Sequence, residues 1–532
     1  MNARPANERP TNTANRQIAR AAGIVMVGFV LSNVTSLVRT MLTGQIFGVG
    51  AALDAFNSAL QLPNILFSLV AGGALASAFI PTFAELLEKD DRARAWHLAS
   101  SIVNLVTIVL IVICGLTWIF AEQVVTHILV PKSAFDQQLL TASLLRILLL
   151  SPIIFGISGL LMGILNTHQK FLLPALAPTM YWAGMIFGLL ALSPTMGIYG
   201  LAWGAVIGAG LHLLVQVPGL LRLPGRRYSL SLGLHLPAVR EVGRLMAPRL
   251  LGVAVVQINF LVNVIVATSL QEGSLSAIDY GFRIMTMPQV VIAQAIAIAA
   301  LPTFSAQVAR GEMEDMRRSL AATLRGILLL ALPATLGLIL LRQPVIAMFY
   351  QRGEFGAQAT QMVTWALLWY TVGLVGHSLV EILSRAFYAL HDTKTPVLVG
   401  TAAMSLNVVL SFTLPGVFES VGWLPLGGLP LANSIATTLE MIVLIVLMRR
   451  QLNGIEGGYV LKGSLQSALA TLAMSAALII WLRAVGDASV WLVGLGGIAI
   501  GGAVYAVLVF ALKVPEAREL LDAGLKRIRA RI

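Results

Sequence analysis

"AFIPTFAELLEKDDRARAWHLASSI" occupies residues 78–102, and "AALPTFSAQVARGEMEDMRRSLAATL" occupies residues 299–324. Pro81-Thr82-Phe83 falls on Pro302-Thr303-Phe304. In each copy the triplet follows a run rich in small apolar residues and precedes a polar stretch and a new apolar run. A second pair strengthens the match: "GILNTHQKFLLPALAP" (163–178) parallels "RAFYALHDTKTPVLVG" (385–400). The chain therefore reads as two copies of one helical lobe.

The surroundings of the repeat decide the solvent. Hydrophobic residues make up 57% of the 532 residues and charged ones 11%, with mean hydropathy +0.85. A soluble domain carries about 25% charged residues. The apolar runs are long and spread from end to end, which excludes a soluble enzyme with one anchor and also the short alternating strands of a barrel. Segments of ~20 apolar residues fall at about 21–46, 51–80, 97–121, 138–166, 173–193, 197–221, 246–269, 275–301, 319–341, 358–388, 395–414, 424–448, 464–484 and 489–512. The expectation is an all-α polytopic membrane protein with about fourteen spans: two six-helix lobes and two C-terminal helices. The boundaries are a polar tail at 1–20, an N-lobe at 21–222, a C-lobe at 223–450, and the last pair with a basic tail at 451–532. Both copies start on the same side, so the repeat is parallel.

Basic residues crowd alternate loops: "EKDDRARAW" after the second span, "RLPGRRYSL" after the sixth, Arg310, Arg317 and Arg318 after the eighth, Arg449 and Arg450 after the twelfth, and "LKRIRARI" at the end. The loops between, such as "SPTMG" and "QEGS", are poor in Lys and Arg. By the positive-inside rule both termini lie in the cytoplasm. The net charge of +12 follows from this rule and not from a nucleic-acid module. The single cysteine, Cys114, excludes an internal disulfide.

Two equivalent lobes suit alternating-access transport. No His, Cys and carboxylate cluster has metal-ligand spacing, and no Gly-rich phosphate loop carries a lysine. ATP is therefore not the direct driver, which leaves an ion or the membrane potential. Charged residues inside spans are costly and tend to face a cavity or a partner. Arg39 and Arg283 lie deep in spans of different lobes and are the candidate phosphate ligands, being always charged and bidentate. The alternative pairs Arg39 with Asp54 and Arg283 with Asp279. Asp54 also suits a helix N-terminus. Arg146, Glu440 and the i, i+4 pair His377 and Glu381 are gating or relay candidates, a structural hydrogen bond being the other reading of the pair. His212 joins the in-membrane candidates if ionised. Arg325 sits about one turn inside its span, within snorkelling reach of water. Prolines 63, 81, 288 and 302 read as helix interruptions.

With these features in hand, the chain resembles the MurJ/MviN lipid II flippases. The resemblance rests on "GVGAALDAFNSALQLPNILFSLVAGGALASAFIPTFAE" (48–85), on Pro248, Gln257, Asn259, "GSLSAIDYGFRIM" (273–285), Pro288 and "LPTFS" (301–305), and on the Arg385, Asp392, Thr395 and Pro396 signature. Pro63 and Asn64 belong to its L-P-N motif. The resemblance covers nearly the whole chain. It implies the fold of the multidrug/oligosaccharidyl-lipid/polysaccharide exporter superfamily and transport of lipid-linked peptidoglycan precursor to the outer leaflet, in support of cell-wall synthesis and cell shape. It implies a bacterial plasma-membrane location and a cationic cavity shared by the lobes, with Arg39, Arg283 and Asp54 at family positions. It also implies a groove on the last two spans for the polyprenyl tail. The partners implied are lipid II, membrane lipids and other cell-wall synthesis proteins, with a monomer as the working unit and no nucleic acid.

Several positions depart from the family pattern. Asn33 and Phe67 replace arginines, Gly72 a glutamate and Trp182 an asparagine. Asn263 and Ser411 replace acids of the seventh and eleventh spans, which removes the carboxylates of a sodium site and leaves Asn407 as its remaining candidate ligand. The departures keep two alternatives open: another polyprenyl-linked glycan or amphiphile as substrate, or drug/ion antiport. The elbow "LSRAFYALHDTKTPV" (383–397) reads as a turn and helix restart on the cytoplasmic side, paired with "NTHQKFLLP" in the first lobe.

Overall fold

A computed structural model of the protein describes residues 12–70, 74–486 and 488–516. Within these it is helical, without a strand. The helices of the first half are α1 (Asn12–Phe47), α2 (Ala51–Val70), α3 (Ala74–Glu88), α4 (Arg92–Ile119), α5 (Phe135–Leu148), α6 (Leu150–Thr167), α7 (Leu172–Phe187), α8 (Ile198–Leu214) and α9 (Pro237–Thr268). The second half has α10 (Ser274–Gln289), α11 (Ala295–Ala309), α12 (Met313–Tyr350), α13 (Ala357–Val372), α14 (Leu374–Ala389), α15 (Lys394–Ser420), α16 (Gly428–Gln451), α17 (Gly457–Val485) and α18 (Val490–Ala511).

Among the described residues eleven helical segments are long and apolar enough to cross a bilayer, or twelve if α13 and α14 form one bent span. The other two segments expected from the sequence are also helical, as α2 with α3 and as α9, but fall outside that count. Helix α1 begins at Asn12, so part of the polar tail expected at 1–20 is helical. Residues 1–11, Gly72 and the basic "LKRIRARI" end lie outside the described residues.

The chain divides into two compact units. One holds residues 1–47 and 51–258, the other 48–50 and 259–532, so the division falls inside α9, later than the lobe boundary expected at residue 223. The repeat is visible in the local backbone. After α3 the chain turns through Asp90 at φ +54°, and after α11 through Gly311 at φ +73°. The elbows match as well: Gln169 and His391 take φ +57° and +60°. Left-handed backbone at a non-glycine residue is uncommon, and here it recurs at equivalent positions of the two copies.

Close packing in the first unit rests on small residues. A Cβ on Gly208 would lie 2.3 Å from the Tyr181 carbonyl oxygen, and one on Gly188 2.5 Å from Gly204 Cα. Gly200, Gly204 and Gly208 share one face of α8 at four-residue spacing, and Gly184 of α7 and Gly188 just after it face them. Without a hydrophobic drive between helices in lipid, such small-residue faces let backbones approach and gain dispersion contact.

The expected proline breaks need correction. Pro63, Pro81 and Pro302 lie inside α2, α3 and α11, which continue through them; only Pro288 is followed by a π-helical turn, at Val290–Gln294. A bend of 46° lies at Gly373 between α13 and α14. Its cause is visible in the hydrogen bonds. The Gly373 N–H donates to Tyr370 O at 3.0 Å, a tight turn that frees the Trp369 carbonyl. Ser434 Oγ of α16 donates to that carbonyl at 2.6 Å. A neighbouring side chain thus satisfies the backbone group that the bend releases, as lipid-buried backbone requires.

Candidate substrate-binding sites

In the first unit Arg39 is buried on α1 at 7% exposure. Its Cζ lies 5.2 Å from the ring centroid of Trp182 on α7, within cation–π range. Trp182 is itself held by its Nε1, which donates to Ser32 Oγ at 3.2 Å. Asp54 is buried in the first turn of α2, where a helix N-terminus favours a carboxylate. Asn33 is exposed and donates to its own helix, at Phe29 O.

Trp182 also walls a pocket of about 320 Å³ lined by α2, α6, α7 and α8. Phe67, Phe155 and Tyr181 form its other aromatic sides, with Phe155 centroids 4.9 Å from Phe67 and 5.1 Å from Tyr181. Pro63, Asn64, Ser151 and His212 complete the polar and kinked parts of the lining. Asn64 is exposed and Pro63 buried. His212 Nδ1 lies 2.6 Å from Ser158 Oγ, which accepts from Gln216 Nε2 at 2.8 Å. The Ser158 hydroxyl and Nδ1 share one hydrogen bond whose direction depends on the imidazole tautomer, and Nε2 takes no part in it. Ser151 Oγ is buried and has no hydrogen-bond partner among the described residues. Sequence reading had marked Phe67 and Trp182 as departures and Pro63 and Asn64 as a motif, but not their convergence.

Arg146 stands apart from this pocket. Its NH2 donates to Glu122 Oε1 at 3.0 Å and its Nε to Trp118 O, which ties α5 to the end of α4.

In the second unit Arg283 is half-exposed on α10 and its Nε donates to Asp279 Oδ2 at 2.8 Å. The pairing alternative is the one realised, one helical turn away on the same helix. It fixes the guanidinium and leaves the terminal nitrogens without a hydrogen bond among the described residues. His377 and Glu381 do not bond each other. His377 Nε2 lies 2.9 Å from Asn433 Oδ1 of α16, while Glu381 accepts from Arg385 at 2.6 Å. The relay reading of that pair has no hydrogen-bonded path here. Glu440 is half-buried on α16, its Oε1 against the α15 backbone at Gly400.

Asn259, Asn263, Asn407 and Ser411 form one neutral network. Asn407 Nδ2 donates to Asn259 Oδ1 at 3.2 Å, Ser411 Oγ to Asn263 Oδ1 at 3.1 Å, and Asn259 Nδ2 to Met404 O at 3.1 Å. The single Ser411 hydroxyl proton lies between two acceptors, since Ser411 Oγ is also 3.3 Å from Asn407 Oδ1. A cation needs oxygens that are free and preferably charged. All four side chains are neutral and bring no carboxylate to Asn407, and among the described residues no group of three His, Cys, Asp or Glu could hold a metal. Gln257, half-buried two residues before Asn259, stands outside the network.

A larger cavity, about 580 Å³, opens among α10, α12, α17 and α18. Its lining is apolar, from Met287, Leu338, Met348, Leu478 and Ile498, with Tyr505 turned aside to donate to the Leu329 carbonyl. Arg325 lies one turn before Leu329 and does not snorkel, a correction to its sequence reading. It is 4% exposed, its Nε 2.7 Å from Glu516 Oε1 and its NH2 donating to Oε2 at 3.0 Å. The Tyr459 ring centroid lies 3.9 Å from its Cζ. A counter-ion was available within the protein, so the guanidinium did not have to reach water. At the elbow, Asp392 accepts from the Thr395 N–H at 3.0 Å and from its hydroxyl at 2.6 Å, capping α15 ahead of the buried Pro396.

The sequence pattern of the family described as "Lipid II flippase MurJ" matches residues 43–495. The chain belongs to the MurJ family. A Burkholderia cenocepacia relative named "Lipid II flippase MurJ" is 30% identical over 440 residues, 80% of this chain and 83% of the relative. A Bdellovibrio bacteriovorus protein named "Probable lipid II flippase MurJ" is 31% identical over 464 residues, 86% of each chain. Among solved structures, one titled "Lipid II flippase MurJ, inward closed conformation" matches with TM-score 0.78 at 24% identity, over 93% of this chain and 99% of its own. An inward-facing MATE family transporter of the MOP superfamily matches with TM-score 0.65 at 15% identity, over 81% and 99%, a likeness of fold. MurJ membership and the apolar helices make this an integral membrane protein.

Proposed function

We propose that this chain is a flippase, not an enzyme, and moves lipid II, the lipid-linked peptidoglycan precursor, from the cytoplasmic to the outer leaflet of the bacterial plasma membrane. The observation that carries the reading is the family match along residues 43–495, with relatives of that name at 30–31% identity. The geometry supplies what such a substrate needs. Arg39 is a desolvated cation in the first unit. Arg283 is a second cation, half-exposed and pre-oriented by Asp279. Both suit the pyrophosphate, because guanidinium groups bind phosphate oxygens through paired N–H donors. Asp54, buried nearby in sequence, orients the entrance of α2. The apolar cavity among α10, α12, α17 and α18 suits a length of polyprenyl chain, which gains by leaving its carbons in an apolar lining.

The mechanism follows from the duplication. A six-helix N-lobe at 21–222 and a C-lobe at 223–450 rock to expose the head group first to the cytoplasm and then to the outside, while 451–532 carries the tail. All fourteen apolar segments cross, and the basic loops hold both termini in the cytoplasm. The elbows at Gln169 and His391 lie on that side and form part of the gate, with Arg385 and Asp392 fixing the second one. Arg146, His377, Glu381 and Glu440 brace helices around the moving parts. Coupling comes from an ion gradient or the membrane potential. The protein works as a monomer beside other cell-wall synthesis proteins.

The test is growth of a bacterium depleted of its own lipid II flippase. The wild-type chain restores growth, and Arg39→Ala and Arg283→Ala each lower it at native expression. Full rescue by the double variant, with protein level unchanged, would refute the arginine roles.

A further inference from the structure

We infer that the aromatic pocket of the first unit is a saccharide subsite, one that receives an N-acetylated sugar ring of the transported head group. The inference rests on the proposed lipid-linked substrate and adds where its sugar is read. Three features carry it.

The first is shape. Phe67, Phe155, Tyr181 and Trp182 surround about 320 Å³, the small end of the range for ligand pockets. The negative face of an aromatic ring attracts polarised C–H bonds, and one face of a pyranose is a flat set of such bonds. The rings are braced edge to face and by the Trp182–Ser32 hydrogen bond, so they are pre-formed walls.

The second is unspent polarity. Ser151 is 4% exposed and lines the pocket, and its hydroxyl has no partner among the described residues. A buried hydroxyl without a partner is unfavourable and marks a place for a ligand group. His212 uses Nδ1 on Ser158, which leaves its Nε2 to hydrogen-bond a sugar hydroxyl or acetamido group. Asn64, also in the lining, adds an amide that both donates and accepts. A hydroxyl, an imidazole nitrogen and an amide beside aromatic faces match a sugar. An alkyl chain would leave all three unpaired.

The third is charge. No Asp or Glu lines the pocket, and the nearest charge named at its wall is Arg39, stacked on Trp182. An organic cation would find no counter-ion there and a like charge at the wall. A neutral ring linked to a phosphate finds aromatic walls first and a guanidinium behind them.

The experiment compares two lipids on the purified full chain by native mass spectrometry: lipid II, and undecaprenyl pyrophosphate, which has the same tail and pyrophosphate but no sugar. The wild type retains lipid II more tightly. Ser151→Ala and Phe155→Leu each weaken lipid II about fivefold, the loss of one hydrogen bond or one ring contact, and leave undecaprenyl pyrophosphate unchanged. Trp182→Phe, which keeps a ring, retains most of the preference. Equal weakening of both lipids would overturn the subsite and indicate a tail site or general damage. So would a wild type that does not distinguish the lipids, or variants that lose nothing. Arg39→Ala and Arg283→Ala are read separately: unchanged retention of undecaprenyl pyrophosphate in both would refute the phosphate role while the sugar comparison stands.

Discussion

Glu516→Gln is expected to loosen the junction of α12, α17 and the chain beyond α18. The wild-type pair is nearly sealed, with side chains of Arg325 and Glu516 exposed by 3% and 9%. Two close nitrogen–oxygen approaches, at 2.7 and 3.0 Å, join them, and the Tyr459 hydroxyl adds a third bond to Glu516 Oε1 at 3.1 Å. An exposed pair would be worth ~0–1 kcal/mol. A buried pair with one partner neutralised leaves the other charge uncompensated, which costs about 3–5 kcal/mol. The amide keeps one acceptor oxygen for Arg325, so the lower end, about 3 kcal/mol, is the expected loss. Crowding sharpens the effect, since a Cβ on Gly463 would sit 2.3 Å from Arg325 Nε and the guanidinium has no room to swing away. Replacing both residues together, Arg325→Met with Glu516→Gln, should recover most of the loss, because no lone buried charge remains. The assay is thermal unfolding of the full chain in lipid nanodiscs, with hydrogen exchange across 457–485. An unchanged midpoint for Glu516→Gln would refute the argument, as would a double variant worse than the sum of the singles.

Three further outcomes follow from other parts of the chain. Asp392→Ala should destabilise the start of α15 by about 1 kcal/mol, seen as faster amide exchange at Thr395. The Thr395 hydroxyl and N–H hold the Asp392 carboxyl below its usual range, so this stabilisation is complete at neutral pH and is lost as pH falls through that lowered value; an elbow whose exchange protection rises on acidification would contradict it. Ala334→Phe projects a ring into the large apolar cavity and should reduce retention of polyprenyl lipids while leaving unfolding near that of the wild type, by native mass spectrometry and calorimetry. Ser434→Ala should cost about 1–3 kcal/mol by stranding the Trp369 carbonyl, with faster exchange around Gly373.

Much of the helix plan was legible because bilayer-length apolar runs announce themselves. The run read at 197–221 begins within one residue of α8, and that at 489–512 brackets α18. The elbow was legible too, since Asp392 and Thr395 are three residues apart and an N-terminal cap is a local device. What failed was everything that depends on which helix faces meet. Arg325 looks like a snorkelling residue until Glu516, 191 positions away, is beside it. The pocket draws on residues near 64, 151, 182 and 212, and no periodicity connects them. The prolines misled for a related reason. A proline costs one hydrogen bond that a neighbour can absorb, whereas the real bend sits at Gly373, where Ser434 of another helix accepts the consequence. Asn407 stood as a candidate ion ligand through the family resemblance alone, and no sequence pattern announced that it bonds Asn259 and Ser411.

The central claim is translocation itself. Cells depleted of their own lipid II flippase and expressing this chain can be treated with a membrane-impermeant enzyme that cleaves lipid II from outside, and the cleaved fraction counted. The account predicts that the wild-type chain restores external cleavage and that the Arg39→Ala, Arg283→Ala double variant, present at equal level, leaves lipid II protected inside. Lipid II that stays protected with abundant, correctly inserted wild-type protein would contradict it.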